Sequence, residues 1–317
     1  MTKRQIISVS RRTDIPAFYA EWFMSRIRAG YCSVVNPFNA NQVSYVGLKP
    51  NDVIGFVFWT RNPQPLLKYL PELDKNRYKY YFQYTLIGYP REIDPKCPPV
   101  DSAVKTFKEL SRLIGKEKVI WRYDPILLSN KTSYQWHTKQ VDSLMKTLSG
   151  YTERLVISFI DPYRKTKIRM DKETSDSFEL FPNVYDVQTY NKIAEHMGSE
   201  AKKYGLEVQS CAEGVDLNKY GISHGKCIDD ELFSRIIRAP LLLKKDPSQR
   251  ETCGCVMSKD IGVNNTCLFG CKYCYATSSI KSAQDNHRKH DMKSPSLIGW
   301  FDVPEPKKQS QAQPELF

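Results

Sequence analysis

Three cysteines near the C-terminus, Cys267, Cys271 and Cys274, stand in a C-x3-C-x2-C spacing inside "TCLFGCKYCYA". Thiolates are the ligands of zinc and of iron–sulfur clusters, and both usually take four. Three thiolates on a four-iron cluster leave one iron open. An open iron can bind a small molecule through an amine and a carboxylate and pass it an electron. The alternative is a zinc knuckle completed by another Cys or by His. Polar and turn residues surround the trio, which speaks against three inert core thiols.

Four more cysteines call for a partner. Cys253 and Cys255 form "CGC", Cys227 follows His224 in "SHGKCID", and Cys211 lies in "QSCAEG". Together they could hold a second, fully ligated iron–sulfur cluster or a zinc ion. Gly254 would let both flanking thiolates turn toward one metal. The competing reading makes Cys253 and Cys255 structural and Cys211 a packed core thiol. His224 is the one histidine close in sequence to these candidates. Cys32 and Cys97 stand alone in turn-like contexts and carry no assignment.

The elements that must position these residues alternate. Runs rich in β-branched and aromatic residues predict strands at Gln5–Ser10, Asp52–Thr60, Tyr78–Leu86, Lys118–Asp124, Arg154–Asp161 and Leu206–Glu213. Helical patterns fall at Pro16–Gly30, Asp101–Gly115, Ser133–Leu148 and Val187–Tyr204. A hairpin is expected between Cys32 and Leu48. Strand–helix alternation implies a parallel sheet with covering helices. The expected fold is α/β, a partial (β/α)6-type TIM-like barrel with a C-terminal iron–sulfur cluster segment. Residues 1–250 would form the barrel, 251–300 a cysteine-rich segment completing it, and 301–317 a flexible tail.

Polar residues collect at the C-terminal ends of these strands, where a barrel keeps its active site. Ser10, Arg11, Arg12, Thr13 and Asp14 follow the first strand, and Thr60 and Arg61 end the second. Arg122 and Asp124 end the fourth. Asp14 and Asp124, each close to a proline, also suit helix caps. Arg11, Arg12, Arg61 and Arg122 do not, and four strand-end arginines suggest a pocket for carboxylate or phosphate.

The 317 residues carry a formal net charge of +12, with 41% hydrophobic and 12% aromatic residues. That excludes global disorder and points to a polyanionic partner or an anionic substrate. No apolar run approaches the roughly 18 residues that span a bilayer, and the basic N-terminus has no signal-peptide core. A cytoplasmic protein is expected, so nine cysteines argue for metal or redox chemistry over disulfides.

The loop "NNTCLFGCKYCYA" resembles the cluster loop of the radical S-adenosylmethionine superfamily, with Tyr273 in the aromatic position before the last cysteine. It is most similar to the spore photoproduct lyase branch. The chain up to about Trp300 also resembles a bacterial family of unknown function. Its members open with a segment like "SRRTDIPAFYAEWF" and close with one like "CGCVMSKDIGVNNTCLFGCKYCYA". In the superfamily the loop normally follows the first strand; here it follows six, which a circular permutation would reconcile. The resemblance implies a [4Fe-4S] cluster on Cys267, Cys271 and Cys274 that cleaves S-adenosylmethionine with an electron from an external donor. Arg11, Arg12 and Thr13 would then lie beside the cluster, where the superfamily contacts the methionine group. Arg61, Arg122 and Tyr273 are further cofactor-binding candidates. It also implies a second role for Cys211, as donor of a hydrogen atom to a substrate radical.

The chain ends "QPELF", which resembles the motif by which bacterial repair and replication proteins dock on the sliding clamp. Gln313 would make a polar contact, and Leu316 and Phe317 would fill an apolar pocket. Charge, loop and tail together lean toward DNA. Trp22, Trp59, Tyr84 and Trp121 could stack on an extruded base. Two alternatives stay open: a radical enzyme acting on RNA, a peptide or a metabolite, and a non-enzymatic metal-stabilised nucleic-acid-binding protein.

Overall fold

A computed structural model describes residues 4–160, 166, 168–170 and 187–306. Strand β1 (Gln5–Val9) leads through α1 (Ile15–Phe18) and α2 (Ala20–Ala29) into a hairpin, β2 (Tyr31–Asn36) and β3 (Asn39–Gly47). Then β4 (Val53–Thr60) is followed by α3 (Gln64–Leu67) and α4 (Leu70–Lys75), and β5 (Tyr80–Thr85) by α5 (Val100–Ile114). Next come β6 (Val119–Ile126) with α6 (Tyr134–Leu148), and β7 (Arg154–Phe159) with α7 (Val187–Lys203). The remaining described elements are β8 (Glu207–Ser210), β9 (Ile222–His224), α8 (Asp230–Ile237), β10 (Ser258–Asp260) and α9 (Ile280–Arg288).

Eight strands form one sheet in the order β10-β1-β4-β5-β6-β7-β8-β9, and all its ladders are parallel. Each strand lies beside the next strand of this sheet along the chain, except that β10, the last, lies beside β1, the first. The loop that follows β10 therefore emerges next to the loop that follows β1. The expected α/β fold stands, with eight strands in the sheet where six were expected. Strands β9 and β10 were not foreseen, because three residues are too few to show an alternating pattern. The structure shows an α/β fold with a parallel eight-stranded sheet flanked by helices, and no ladder joins β9 to β10 among the described residues.

Side chains alternate across the sheet and separate two cores. On one face Phe56, Phe58, Phe82, Trp121 and Ile157 pack under the helices that follow their strands. On the other, Ile6, Val57, Tyr81, Ile120 and Val156 meet α8 through Leu232 and Phe233. Phe233 lies against Tyr81 with ring centroids 5.0 Å apart, and a Cβ at Gly55 would lie 2.2 Å from it. So α8 covers the lower part of this face and leaves the C-terminal strand ends open.

The expected helix Pro16–Gly30 is broken at Tyr19, which leaves helical geometry (φ −138°). Its hydroxyl instead donates to the carbonyl of Thr266 at 2.8 Å. Gly30 ends α2 in the left-handed region, as its type suggests. The segment after the cysteine loop wraps back onto this unit. Trp22 Nε1 donates to Ser294 O at 3.0 Å, and the Ser33 amide donates to Pro295 O at 2.9 Å. Asp161 and the tail residues Gln313, Leu316 and Phe317 lie outside the described residues. No described helix is long and apolar enough to cross a membrane.

His137 on α6 is fully buried, its Nδ1 2.8 Å from the Tyr123 hydroxyl and its Nε2 2.9 Å from Leu127 O. Burial lowers its pKa from the ordinary 6.5 to about 4. The unfolded chain binds this proton more readily, so the contribution is full above about pH 6.5 and is lost as pH falls toward 4. The loss is on the order of 3 kcal/mol. In His137→Gln, urea unfolding is expected to show a shallower fall in stability between pH 6.5 and 4 than the parent; equal slopes would refute it.

Candidate metal centre

At the C-terminal strand ends lies one cavity of about 450 Å³. Seven of the nine cysteines line it: Cys211, Cys227, Cys253, Cys255, Cys267, Cys271 and Cys274. The sequence-predicted candidates Arg11, Arg12, Thr13, Arg61, Arg122 and Tyr273 line it as well. All nine cysteines are free thiols.

The Cys267–Cys274 loop is held by the pairing of β10 with β1. Asp260, the last residue of β10, accepts hydrogen bonds from the Ser8 hydroxyl (2.8 Å), the Ser10 hydroxyl (2.6 Å) and the Arg11 amide (2.9 Å). Burial would raise its pKa, but the Arg12 guanidinium and these donors hold it below the ordinary value. Two residues on, Gly262 sits so close to β1 that a Cβ would lie 2.0 Å from Ser10 Oγ and 2.8 Å from Thr13 Oγ1. Thr13 is buried, takes the Val263 amide at 2.9 Å and meets Thr266 Oγ1 at 2.7 Å. Its hydroxyl also donates to Val263 O at 2.8 Å, so Thr13 tethers the loop to the end of β1. Asp260 was missed in the sequence, where "SKDIG" carries no motif.

Arg61 anchors the other side of the loop. It donates to Asp94 Oδ2 at 2.8 Å, meets Cys97 Sγ at 3.4 Å, and contacts the Tyr273 hydroxyl. Tyr273 in turn donates to Asp94 Oδ2 at 3.2 Å. Arg61 and Tyr273 thus hold the loop to Asp94, and both also line the cavity. Cys97, unassigned from the sequence, lies with its sulfur 3.7 Å from that of Cys271. Asp94, Cys97 and Cys271 are the one set of three ligand atoms within 4.8 Å of one another among the described residues. The Arg61 guanidinium pairs with Asp94 there, and Cys271 is shared with the three-cysteine loop.

Cys211, Cys227, Cys253 and Cys255 meet from separate parts of the chain. Cys211 follows β8, Cys227 lies between β9 and α8, and Cys253 and Cys255 precede β10. The sulfurs of Cys211 and Cys227 are 3.2 Å apart, and Cys255 faces both Cys227 and Cys253. His224 is exposed, 3.3 Å from the Ser210 hydroxyl, and does not line the cavity.

The strand-end arginines are not an open anion clamp. Arg12 pairs with Asp260 at 3.1 Å, Arg61 with Asp94, and Arg122 with Asp124. Asp124 is therefore a charge partner and not a helix cap, and it also takes the Ser158 hydroxyl. Asp14 is a cap: it accepts from the Ala17 amide at 3.1 Å, and also from the Arg61 amide at 2.7 Å. Arg11 differs. Its Nη2 is buried with no hydrogen-bond partner among the described residues, and its guanidinium lies 5.2 Å from the Trp59 ring centroid. Burial works against its charge, but Cys255, Cys227 and Asp260 outweigh that and raise its pKa. Of the four aromatics expected to stack on a base, Trp22, Tyr84 and Trp121 are wholly buried in the core. Only Trp59 lines the cavity, with Arg122 also 5.2 Å from its ring centroid.

No curated protein matches the chain. Among solved structures it is similar to one described as the carbonyl reductase Sniffer of Caenorhabditis elegans, at 9% identity over 74% of this chain and 90% of that one. The TM-score is 0.25, too weak a likeness to bear on fold or function. A family model matches residues 6–276, from the start of β1 to the end of the cysteine loop. The chain belongs to that family, described as a domain of unknown function (DUF1848).

Proposed function

We propose that the protein is a radical S-adenosylmethionine enzyme whose [4Fe-4S] cluster is held by Cys267, Cys271 and Cys274. The observation that supports it most is the placement of the three-cysteine loop. It leaves a strand that lies beside β1 and lines the cavity at the strand C-termini, where Arg11 keeps a buried, unpartnered Nη2. The donor set suits such a cluster: three thiols, half-buried or buried, on a loop fixed from both sides.

Bound there, the cluster would supply the electron that cleaves S-adenosylmethionine and so generates a hydrogen-abstracting radical. The chain's own residues position and shield. Arg11 pairs with the carboxylate of the cofactor's methionine group. Trp59 stacks beside it. The Asp260 and Arg61 networks keep the loop in register. A DNA base is the leading substrate class, on the +12 charge and the clamp-like Gln313, Leu316 and Phe317. The sliding clamp and an external electron donor are the proposed partners in a reducing cytoplasm. A small metabolite is a second reading, favoured by a cavity of about 450 Å³, the size of small-molecule sites.

Anaerobic reconstitution with iron and sulfide, followed by EPR of the reduced protein, tests the assignment. A cluster signal that shifts on adding S-adenosylmethionine, and is absent in Cys271→Ala, is the expected result. A signal indifferent to the cofactor would overturn it. Steeply salt-dependent binding to duplex DNA would separate the DNA reading from the metabolite one.

A further inference from the structure

We propose that Cys211, Cys227, Cys253 and Cys255 hold a second iron–sulfur cluster, facing the same cavity as the three-cysteine loop. The inference concerns a separate set of thiols and stands whether or not S-adenosylmethionine is cleaved here.

Four thiols from three chain segments converge without forming a disulfide. Cys227, Cys253 and Cys255 are buried, and Cys211 is half-buried at the cavity wall. Their backbone is fixed. The Cys211 amide donates to Ile157 O at 2.8 Å and the Val256 amide to Ile228 O at 3.1 Å, while the Asp246 amide donates to Cys255 O at 2.9 Å. A Cβ at Gly254 would lie 3.2 Å from Gly225 O, so the Cys-Gly-Cys turn packs closely on the loop that carries Cys227.

The surroundings suit anionic sulfur. Arg122 Nη1 lies 2.9 Å from Cys227 Sγ, and the Ile228 amide donates to Cys255 Sγ at 3.4 Å. Arg11 adds a second cation beside Cys255 and Cys227. Donors and cations around cysteine sulfur stabilise and tune thiolate-ligated clusters. Each thiol gives up its proton when it binds iron, and these groups compensate the charge that results.

Spacing favours a cluster over a single compact zinc ion. Tetrahedral zinc with bonds near 2.3 Å holds every sulfur pair at about 3.8 Å. Here no three of the four sulfurs lie within 4.8 Å of one another. A close pair, Cys211 with Cys227, extends through Cys255 to Cys253, and near-neighbour sulfurs in a row suit a two-iron cluster, in which each iron takes two thiolates. Cys211 is thereby a ligand, and not the free hydrogen-atom donor that the resemblance also allowed.

The test uses the full chain reconstituted anaerobically with iron and sulfide. The triple variant Cys267→Ala/Cys271→Ala/Cys274→Ala is expected to keep about two to four irons per chain with matching sulfide and a Mössbauer spectrum of a thiolate-ligated cluster. The double variant Cys253→Ala/Cys255→Ala is expected to lose that fraction and keep the cofactor-responsive signal. If the double variant does not fold, the triple variant's iron still decides. A folded triple variant without iron, or one that takes up zinc instead, would overturn the proposal. Iron retained in the triple variant while the parent ignores S-adenosylmethionine would sustain the second cluster and defeat the radical-enzyme reading.

Discussion

Arg61→Met is expected to destabilise the protein by about 3–5 kcal/mol, the largest single effect foreseen outside the hydrophobic core. Asp94 is buried and Arg61 largely so, with side chains 3% and 14% exposed. Removing the guanidinium strands the carboxylate, whose Oδ1 already has no hydrogen-bond partner among the described residues. It also frees Tyr273 and Cys97 at the edge of the cysteine loop. Adding Asp94→Asn should recover a large part of the loss, because a neutral amide tolerates the site better than an unpaired charge. Urea unfolding of the parent, the single variant and the double variant, all in the same metal state, checks this. A single-variant loss under about 1 kcal/mol, or no recovery in the double, would refute the role given to this pair.

Arg11→Met should weaken S-adenosylmethionine binding by roughly 30-fold to several thousand-fold, the equivalent of about 2–5 kcal/mol for a buried charge pair. The reason is specific to Arg11. Arg12, Arg61 and Arg122 each have a carboxylate partner within the protein, whereas Arg11 Nη2 has none among the described residues. Arg11→Lys should recover only part of the affinity, since an ammonium keeps the charge but not the planar fork. The cluster signal of the three-cysteine loop and the thermal midpoint should stay close to the parent in both variants. Calorimetric titration of the reconstituted protein reads the affinity. An unchanged dissociation constant would show that the cofactor's carboxylate does not sit at Arg11.

Much of the scaffold was legible because local signals agreed. Alternating β-branched and aromatic runs marked six strands, and the Gly30 and Gly115 stops marked helix ends. The hairpin between Cys32 and Leu48 also stands. Tyr19 broke its helix because a long-range hydrogen bond to Thr266 outweighed local propensity. Strands β9 and β10 were invisible because three residues carry no period.

The sequence by itself determined which residues could bind metal: three cysteines at C-x3-C-x2-C, the Cys-Gly-Cys pair, and Cys211 and Cys227. It also placed Arg11, Arg12, Arg61 and Arg122 at strand ends, since strand periodicity decides where a strand stops. Only the tertiary structure decided how those residues divide. It put Asp260 on β10 under the Arg11 amide and Arg12, Asp94 under Arg61, and Asp124 beside Arg122, so three arginines became internal partners and one did not. It brought Cys97 to Cys271, 174 residues apart, and gathered the four-cysteine group from three segments. Such pairings depend on the parallel register of β10, β1 and their neighbours. Register follows from side-chain packing across the whole sheet, which no local stretch of sequence contains.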